Sequence, residues 1–175
     1  RKELLSGLGI CYEVKTLPGI EESYPDTLSG EEIPVFIACE KADAYRQTMH
    51  SDELIITADT IVWLDGLVMG KPEDEEDARR MLRCLSGKTH QVITGVCLTT
   101  TEFQKSFATV TDVTFAELTE EEIDYYVQKY KPMDKAGSYG IQEWIGFVGV
   151  EGITGSYFNV MGLPIQRLYK ELSKL

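Results

Sequence analysis

The run Ile55-Ile56-Thr57-Ala58-Asp59-Thr60-Ile61-Val62-Trp63 confines the fold more tightly than any other stretch, because it reads as a sheet strand with one carboxylate at its centre. Strands covered on both faces are near-continuous apolar runs. A charge inside such a run is costly unless it is paired, hydrogen-bonded or bound to a metal. A lone Asp at a strand bend would only satisfy nearby backbone N–H groups. Four lysines shift the reading toward chemistry: Lys41, Lys71, Lys88 and Lys135 each occur beside a break in local structure or on an apolar face. A carboxylate accompanied by several ammonium groups is the equipment of a metal-assisted phosphate-cleaving site.

The 175 residues, 43% of them hydrophobic, suit one domain or two small lobes with a real core. No apolar run reaches membrane-spanning length, and no signal-peptide pattern is present. The first residue is Arg1 rather than Met, so a natural chain is expected to have begun earlier. A formal charge of −12 argues against DNA or RNA as a partner, since phosphate backbones demand basic faces. It leaves room for a small phosphorylated ligand, which needs only a local cluster of cations and a divalent ion. The acidic runs Glu73–Asp77 and Glu120–Asp124 read as first turns of helices, where negative charge favours the dipole. The four cysteines lack C-x-x-C spacing and read as buried free thiols in a reducing compartment, the cytoplasm. His50 and His90 stand far apart and are not spaced with a cysteine like a zinc site.

Periodicity and turn signals order the chain. Arg1–Leu8 reads as the end of a helix closed by Gly9, and Cys11–Leu17 as a short strand. Pro18 to Gly30 is a loop carrying Glu21 and Glu22. A helix then starts near Pro34, with Ile33, Ile37, Lys41 and Ala44 on one face, which aims Lys41 toward the core side. Strand 54–64 turns at Asp65-Gly66 into a second strand, Leu67–Met69. Gly70-Lys71-Pro72 leads to an acidic helix ending at Leu85, and 89–100 and 107–115 follow as paired strands. Thr119 and Glu122 form a capping box for a helix over 120–130. Segments 147–150 and 152–160 read as a hairpin, and Pro164 opens a last amphipathic helix to Leu172. Hairpins predominate, so the sheet of this α/β chain should not be purely parallel.

Gly87-Lys88-Thr89 looks like the tail of a phosphate-binding P-loop, but the first glycine of that motif would fall on Leu82, and the helix–loop–strand order is reversed. The loop Asp134-Lys135-Ala136-Gly137-Ser138-Tyr139-Gly140-Ile141-Gln142 is more telling, because two glycines permit close backbone approach to a ligand beside a lysine and an amide. Together with Gly70-Lys71-Pro72 it gives two Gly/Lys loops next to strands, where ligand sites concentrate.

Taken in order, these segments resemble the Maf family of nucleotide pyrophosphatases, related in fold to the inosine triphosphatase group. The resemblance spans nearly the whole chain. It rests on Arg1-Lys2-Glu3-Leu4-Leu5, Glu40-Lys41-Ala42, Ala58-Asp59-Thr60, Gly70-Lys71-Pro72, Ser86-Gly87-Lys88-Thr89-His90, the 134–142 loop, Gly155-Ser156-Tyr157 and Gly162-Leu163-Pro164. It implies a single domain over 1–175, lacking the family's N-terminal strand and the start of the first helix. The fold implied is a twisted mixed sheet flanked by helices, with two lobes around a central cleft. The activity implied is hydrolysis of a nucleoside triphosphate to monophosphate and diphosphate, with Asp59 as proton acceptor. Glu22 matches the family's acidic loop residue and, with Asp59, would hold a divalent metal, Mg²⁺ or Mn²⁺ on hardness grounds. Arg1, Lys41 and Lys71 match its phosphate-binding cations, and Lys88 and Lys135 join them as candidate substrate contacts. Thr60 and Gln142 match positions linked to substrate choice in the subgroup acting on dTTP and UTP, which the Ala-Gly-Ser-Tyr-Gly-Ile-Gln run also resembles. The subgroup acting on 7-methylguanosine triphosphate has a different loop there. Glu143-Trp144-Ile145-Gly146 departs from the family's smaller glycine-rich turn, which leaves the exact base open. A homodimer is the family expectation. Two other readings use the same pocket: a nucleotide-binding regulator of cell division and septum formation, and a purine house-cleaning triphosphatase.

Overall fold

The computed structural model describes all residues from Arg1 to Leu175. Its helices are α1 (Lys2–Ser6), α2 (Glu32–Arg46), α3 (Glu75–Leu85), α4 (Glu120–Tyr130), α5 (Trp144–Gly149), α6 (Tyr157–Val160) and α7 (Ile165–Leu172). The strands are β1 (Ile55–Leu64), β2 (Leu67–Met69), β3 (Thr89–Thr99), β4 (Gln104–Phe115) and β5 (Val150–Thr154). They form one five-stranded sheet in the order β2-β1-β3-β4-β5. The pairing of β1 with β2 is antiparallel, as the Asp65-Gly66 hairpin signal predicted, and that of β4 with β5 is antiparallel as well. The chain divides into two compact units, one of Arg1–Thr60, Ile93–Thr109 and Gly162–Leu175, the other of Ile61–Val92 and Val110–Met161. No helix is long and apolar enough to cross a membrane.

In the first unit, Ala58, Val96, Leu98, Phe107, Leu163 and Leu168 form a buried cluster joined by Leu4, Leu5 and Leu8. Helix α2 buries Ile33, Pro34, Ile37, Ala38 and Ala42, starting slightly before the expected proline. Two contacts fix it on the sheet. Thr57 Oγ1 donates 2.7 Å to the Ala38 carbonyl, and Gly95 of β3 meets the first turn of α2 backbone to backbone. A Cβ at Gly95 would lie 2.3 Å from Val35 N and 2.4 Å from Pro34 C, so no larger residue fits without moving the helix. Gly95→Ala is expected to cost about 2 kcal/mol or more through this overpacking, read as a lower Tm in a thermal melt. An unchanged Tm would mean that α2 is free to shift.

In the second unit, α3 and α4 cover a core that includes Leu82, Leu85, Phe115, Ile123 and Tyr126. Asp74 caps α3 by accepting 2.7 Å from Asp77 N. The capping box of α4 forms as expected, with Thr119 Oγ1 accepting from Glu122 N at 3.1 Å and Glu122 Oε1 from Thr119 N at 2.8 Å. Gly137 adopts φ +70° with its α-carbon against Val62, where a Cβ would fall 2.8 Å from Val62 Cγ2. Its N–H donates 3.1 Å to the Gly70 carbonyl, tying together the two Gly/Lys loops singled out in the sequence.

Three expectations fail. Cys11–Leu17 is not a strand, because no neighbouring strand completes its hydrogen bonds; the Leu17 N–H donates instead to Tyr45 Oη at 3.0 Å. The 147–150 and 152–160 segments are not a hairpin with one another. Residues 144–149 coil as α5, β5 pairs with β4, and Ser156 caps the short α6 by accepting from Asn159 N. The four cysteines are all free, yet only Cys97 is buried; Cys39 and Cys84 are half-buried and Cys11, in an irregular segment, is exposed.

Candidate active site

Asp59 sits mid-strand on β1 and is 7% exposed, as its apolar neighbours required. Two sequence features bring its partners to it. Helical spacing sends Lys41 inward from α2, and the Thr57–Ala38 bond holds that helix in place over β1. Lys41 Nζ lies 3.5 Å from Asp59 Oδ1 and 3.1 Å from Glu22 Oε1, and it donates 3.3 Å to the Ala58 carbonyl. The ammonium thus stands between two carboxylates and is tethered to the strand that carries one of them.

Desolvation pushes the Asp59 carboxyl above its ordinary range, and the negative charge of Glu22 adds to that rise. Lys41 and Arg1 oppose it without cancelling it. Asp59 therefore holds a proton more readily than a surface carboxylate, a property suited to a general base. Arg1 feels both carboxylates in return, while desolvation of its guanidinium is the larger influence and acts downward. The guanidinium is always charged in practice. Its Nε donates 2.8 Å to the Gly162 carbonyl and its Nη2 donates 3.0 Å to Thr60 Oγ1. Thr60 Oγ1 also lies 2.9 Å from Thr94 Oγ1.

The first unit thus brings together Arg1, Glu22, Lys41, Asp59 and Thr60. Arg1, Glu22 and Lys41 also line a cavity of about 940 Å³ with Leu5, Tyr45 and Ile56, within the size range of small-molecule sites. Lys71, Lys88, Lys135 and Gln142 belong to the second unit. Lys71, Lys88 and Gln142 are exposed there. Lys135 is half-buried and faces acid, 3.3 Å from Asp134 Oδ1 and 3.8 Å from Glu143 Oε1. Glu143, the position where the sequence departs from the family pattern, also accepts 2.6 Å from Tyr126 Oη.

Sequence reasoning missed Thr94 and the carbonyls of Ala58 and Gly162. Thr94 was legible in principle as a polar residue within an apolar strand, and it is fully buried. The two carbonyls belong to quoted motifs, but backbone acceptors leave no trace in residue type.

No group of three or more His, Cys, Asp or Glu converges on one point. Glu22 and Asp59 nevertheless meet at Lys41, giving two hard oxygen donors close enough to raise proton affinity electrostatically. Mg²⁺ is commonly held by one or two carboxylates plus substrate phosphates, so this donor set fits such an ion.

A family model described as Maf-like protein matches residues 1–175. A dTTP/UTP pyrophosphatase of Phocaeicola vulgatus is 81% identical over 175 residues, covering 100% of this chain and 91% of the relative. One of Bacteroides thetaiotaomicron is 67% identical over the same 175 residues, again 100% and 91%. A more distant one, of Flavobacterium psychrophilum, is 47% identical over 169 residues, covering 97% of this chain and 86% of the relative.

Proposed function

This chain belongs to the Maf family, and from that premise we propose that it hydrolyses dTTP and UTP to the nucleoside monophosphate and diphosphate. The relatives bearing that name match it from end to end. The observation that carries the chemistry is the Lys41 ammonium seated between Asp59 and Glu22.

Asp59 takes a proton from water as the water oxygen attacks the α-phosphorus. The bond from the α-phosphorus to the bridging oxygen breaks, and the diphosphate leaves with that oxygen. Lys41 favours the ionised form of Asp59 against the pull of desolvation and orients its carboxylate. Arg1, fixed by Gly162 and Thr60, presents a cation to phosphate oxygens. Glu22 and Asp59 would hold a divalent ion, Mg²⁺ or Mn²⁺, which when bound supplies neutralisation of the triphosphate charge. The roles of Lys71, Lys88 and Lys135 as phosphate contacts, and of Thr60 and Gln142 in base choice, rest on the motif resemblance. Lys71→Ala is expected to lower kcat/KM by about 10²–10³-fold, as loss of one preorganised charge does. Unchanged kinetics would remove Lys71 from the reaction.

The raised proton affinity of Asp59 sets a pH dependence. A general base must be ionised, so kcat/KM should fall on the acid side at a pH above the ordinary carboxylate range. A profile flat down to the usual carboxylate pKa would contradict the assignment.

A screen of dTTP, UTP and ITP by diphosphate release, with and without Mg²⁺ or Mn²⁺, tests the function as a whole. Preference for the two pyrimidine nucleotides supports it. Preference for ITP would indicate a purine house-cleaning enzyme, and tight binding without release a nucleotide-binding regulator. We place the enzyme in the cytoplasm, with its nucleotide pool, and expect a homodimer; light scattering on a sizing column reads the latter.

A further inference from the structure

We propose that Cys39 and Cys97 form a redox dithiol that closes to a disulfide on attack by a peroxide, pinning α2 to β3 and braking the enzyme. Their sulfurs lie 3.6 Å apart in direct contact, across the interface where α2 packs on the sheet. A disulfide needs about 2.0 Å between sulfurs, so closure asks for a modest approach rather than a rearrangement. The two thiols differ in the way such a pair requires. Cys39 is half-buried and open to a small oxidant, whereas Cys97 is fully buried, with Thr99 Oγ1 at 3.5 Å and Ala38 and Ala42 packed around it.

The electrostatics agree with that division. A hydrogen bond with Cys97, seconded by one with Ser106, draws Cys39 down to about 7 against burial and the charges of Asp43 and Glu40. The same contact with Cys39, then burial, pushes Cys97 up. Cys39 is thus the attacking thiolate and Cys97 the resolving thiol. In the first step Cys39 sulfur attacks one peroxide oxygen. The O–O bond breaks, hydroxide leaves and takes up a proton, and Cys39 becomes a sulfenic acid. In the second, Cys97 sulfur attacks Cys39 sulfur, the S–O bond breaks, and the hydroxyl departs with the Cys97 proton as water. Two thiols and one hydrogen peroxide give one disulfide and two waters.

The link to activity follows from position. Cys39 precedes Lys41 by two residues on α2, and the Thr57–Ala38 bond registering that helix on β1 is its immediate neighbour. Drawing Cys39 toward β3 displaces the segment that sets Lys41 against Asp59. This brake rests on the proposed function, while the dithiol itself does not.

The test treats the reduced full chain with hydrogen peroxide, blocks remaining thiols by alkylation, and maps peptides without reduction. Exposed Cys11 and half-buried Cys84 serve as internal controls. The expected result is a peptide joining Cys39 to Cys97, with alkylation confined to Cys11 and Cys84. Cys97→Ala should stop at a Cys39 sulfenic acid that dimedone traps, and Cys39→Ser should give no cross-link. Cys39 and Cys97 still fully alkylated, or Cys39 carried to sulfinic acid with no cross-link, would overturn the dithiol. In parallel, dTTP hydrolysis should fall several-fold with cross-linking and return with dithiothreitol. Full activity in the cross-linked protein would overturn the brake. A reduced chain with no dTTP hydrolysis would instead refute the proposed function, since the cross-link is read by mass.

Discussion

Asp59→Asn is expected to lower the turnover of dTTP and UTP by about 10²–10⁴-fold while nucleotide still binds. Asparagine keeps the size of the side chain and can still meet Lys41 through its amide oxygen, but it cannot accept a proton from water. The variant should also fold. Desolvation raises the proton affinity of Asp59 in the native state above that of the unfolded chain. The sign of the linkage follows: the native state is favoured by protonation, and the ionised carboxylate costs stability once the pH exceeds the native pKa. A neutral amide removes that cost, so the Tm at neutral pH should hold or rise. Diphosphate release, isothermal titration with dTTP and a thermal melt read the three outcomes separately. Normal turnover would end the role of Asp59 as base, and a collapsed Tm would make it a structural residue.

Lys41→Met should reduce kcat/KM by about 10²–10³-fold at neutral pH and move the acid limb of the pH profile upward. Methionine preserves the packed stem of the side chain on α2 but deletes the ammonium. That ammonium is the largest influence lowering the Asp59 pKa, and without it the charge of Glu22 acts unopposed except by Arg1. More of Asp59 is then protonated at any given pH, and part of the lost rate should return under alkaline conditions. This recovery separates an electrostatic role from simple misfolding, which alkali would not repair. A lower rate with the acid limb unmoved would show that Lys41 acts on substrate alone and does not tune Asp59.

Much of this centre was legible in the residues. An acid within an apolar strand and a lysine at helical spacing with Ile33 and Ile37 are both statements about side-chain periodicity, and the structure brings the two within 3.5 Å. Glu22 was found only through the family pattern, because it lies in an irregular loop with no period to place it. Lys135 shows the reverse: a lysine beside two glycines suggested an open cation, but Glu143, three residues past Gly140, partly neutralises it. The failed strand at Cys11–Leu17 has the same root as the failed hairpin at 147–160. Alternation marks a segment that suits a sheet, while a strand exists only where a neighbour supplies hydrogen-bond partners, and that is a property of the whole fold. The Cys39–Cys97 contact joins residues far apart in sequence on a helix and a strand, and neither cysteine carried a local signal.

The central claim, that water activated at Asp59 attacks the α-phosphorus, is tested most directly by hydrolysing dTTP in ¹⁸O-labelled water and weighing both products, with the Asp59→Asn protein run in parallel as a single turnover. The wild-type chain should place the label in the thymidine monophosphate and none in the diphosphate, and the asparagine variant should bind dTTP yet leave it intact on that timescale. Label in the diphosphate, or a single-turnover rate unaffected by the substitution, would contradict it.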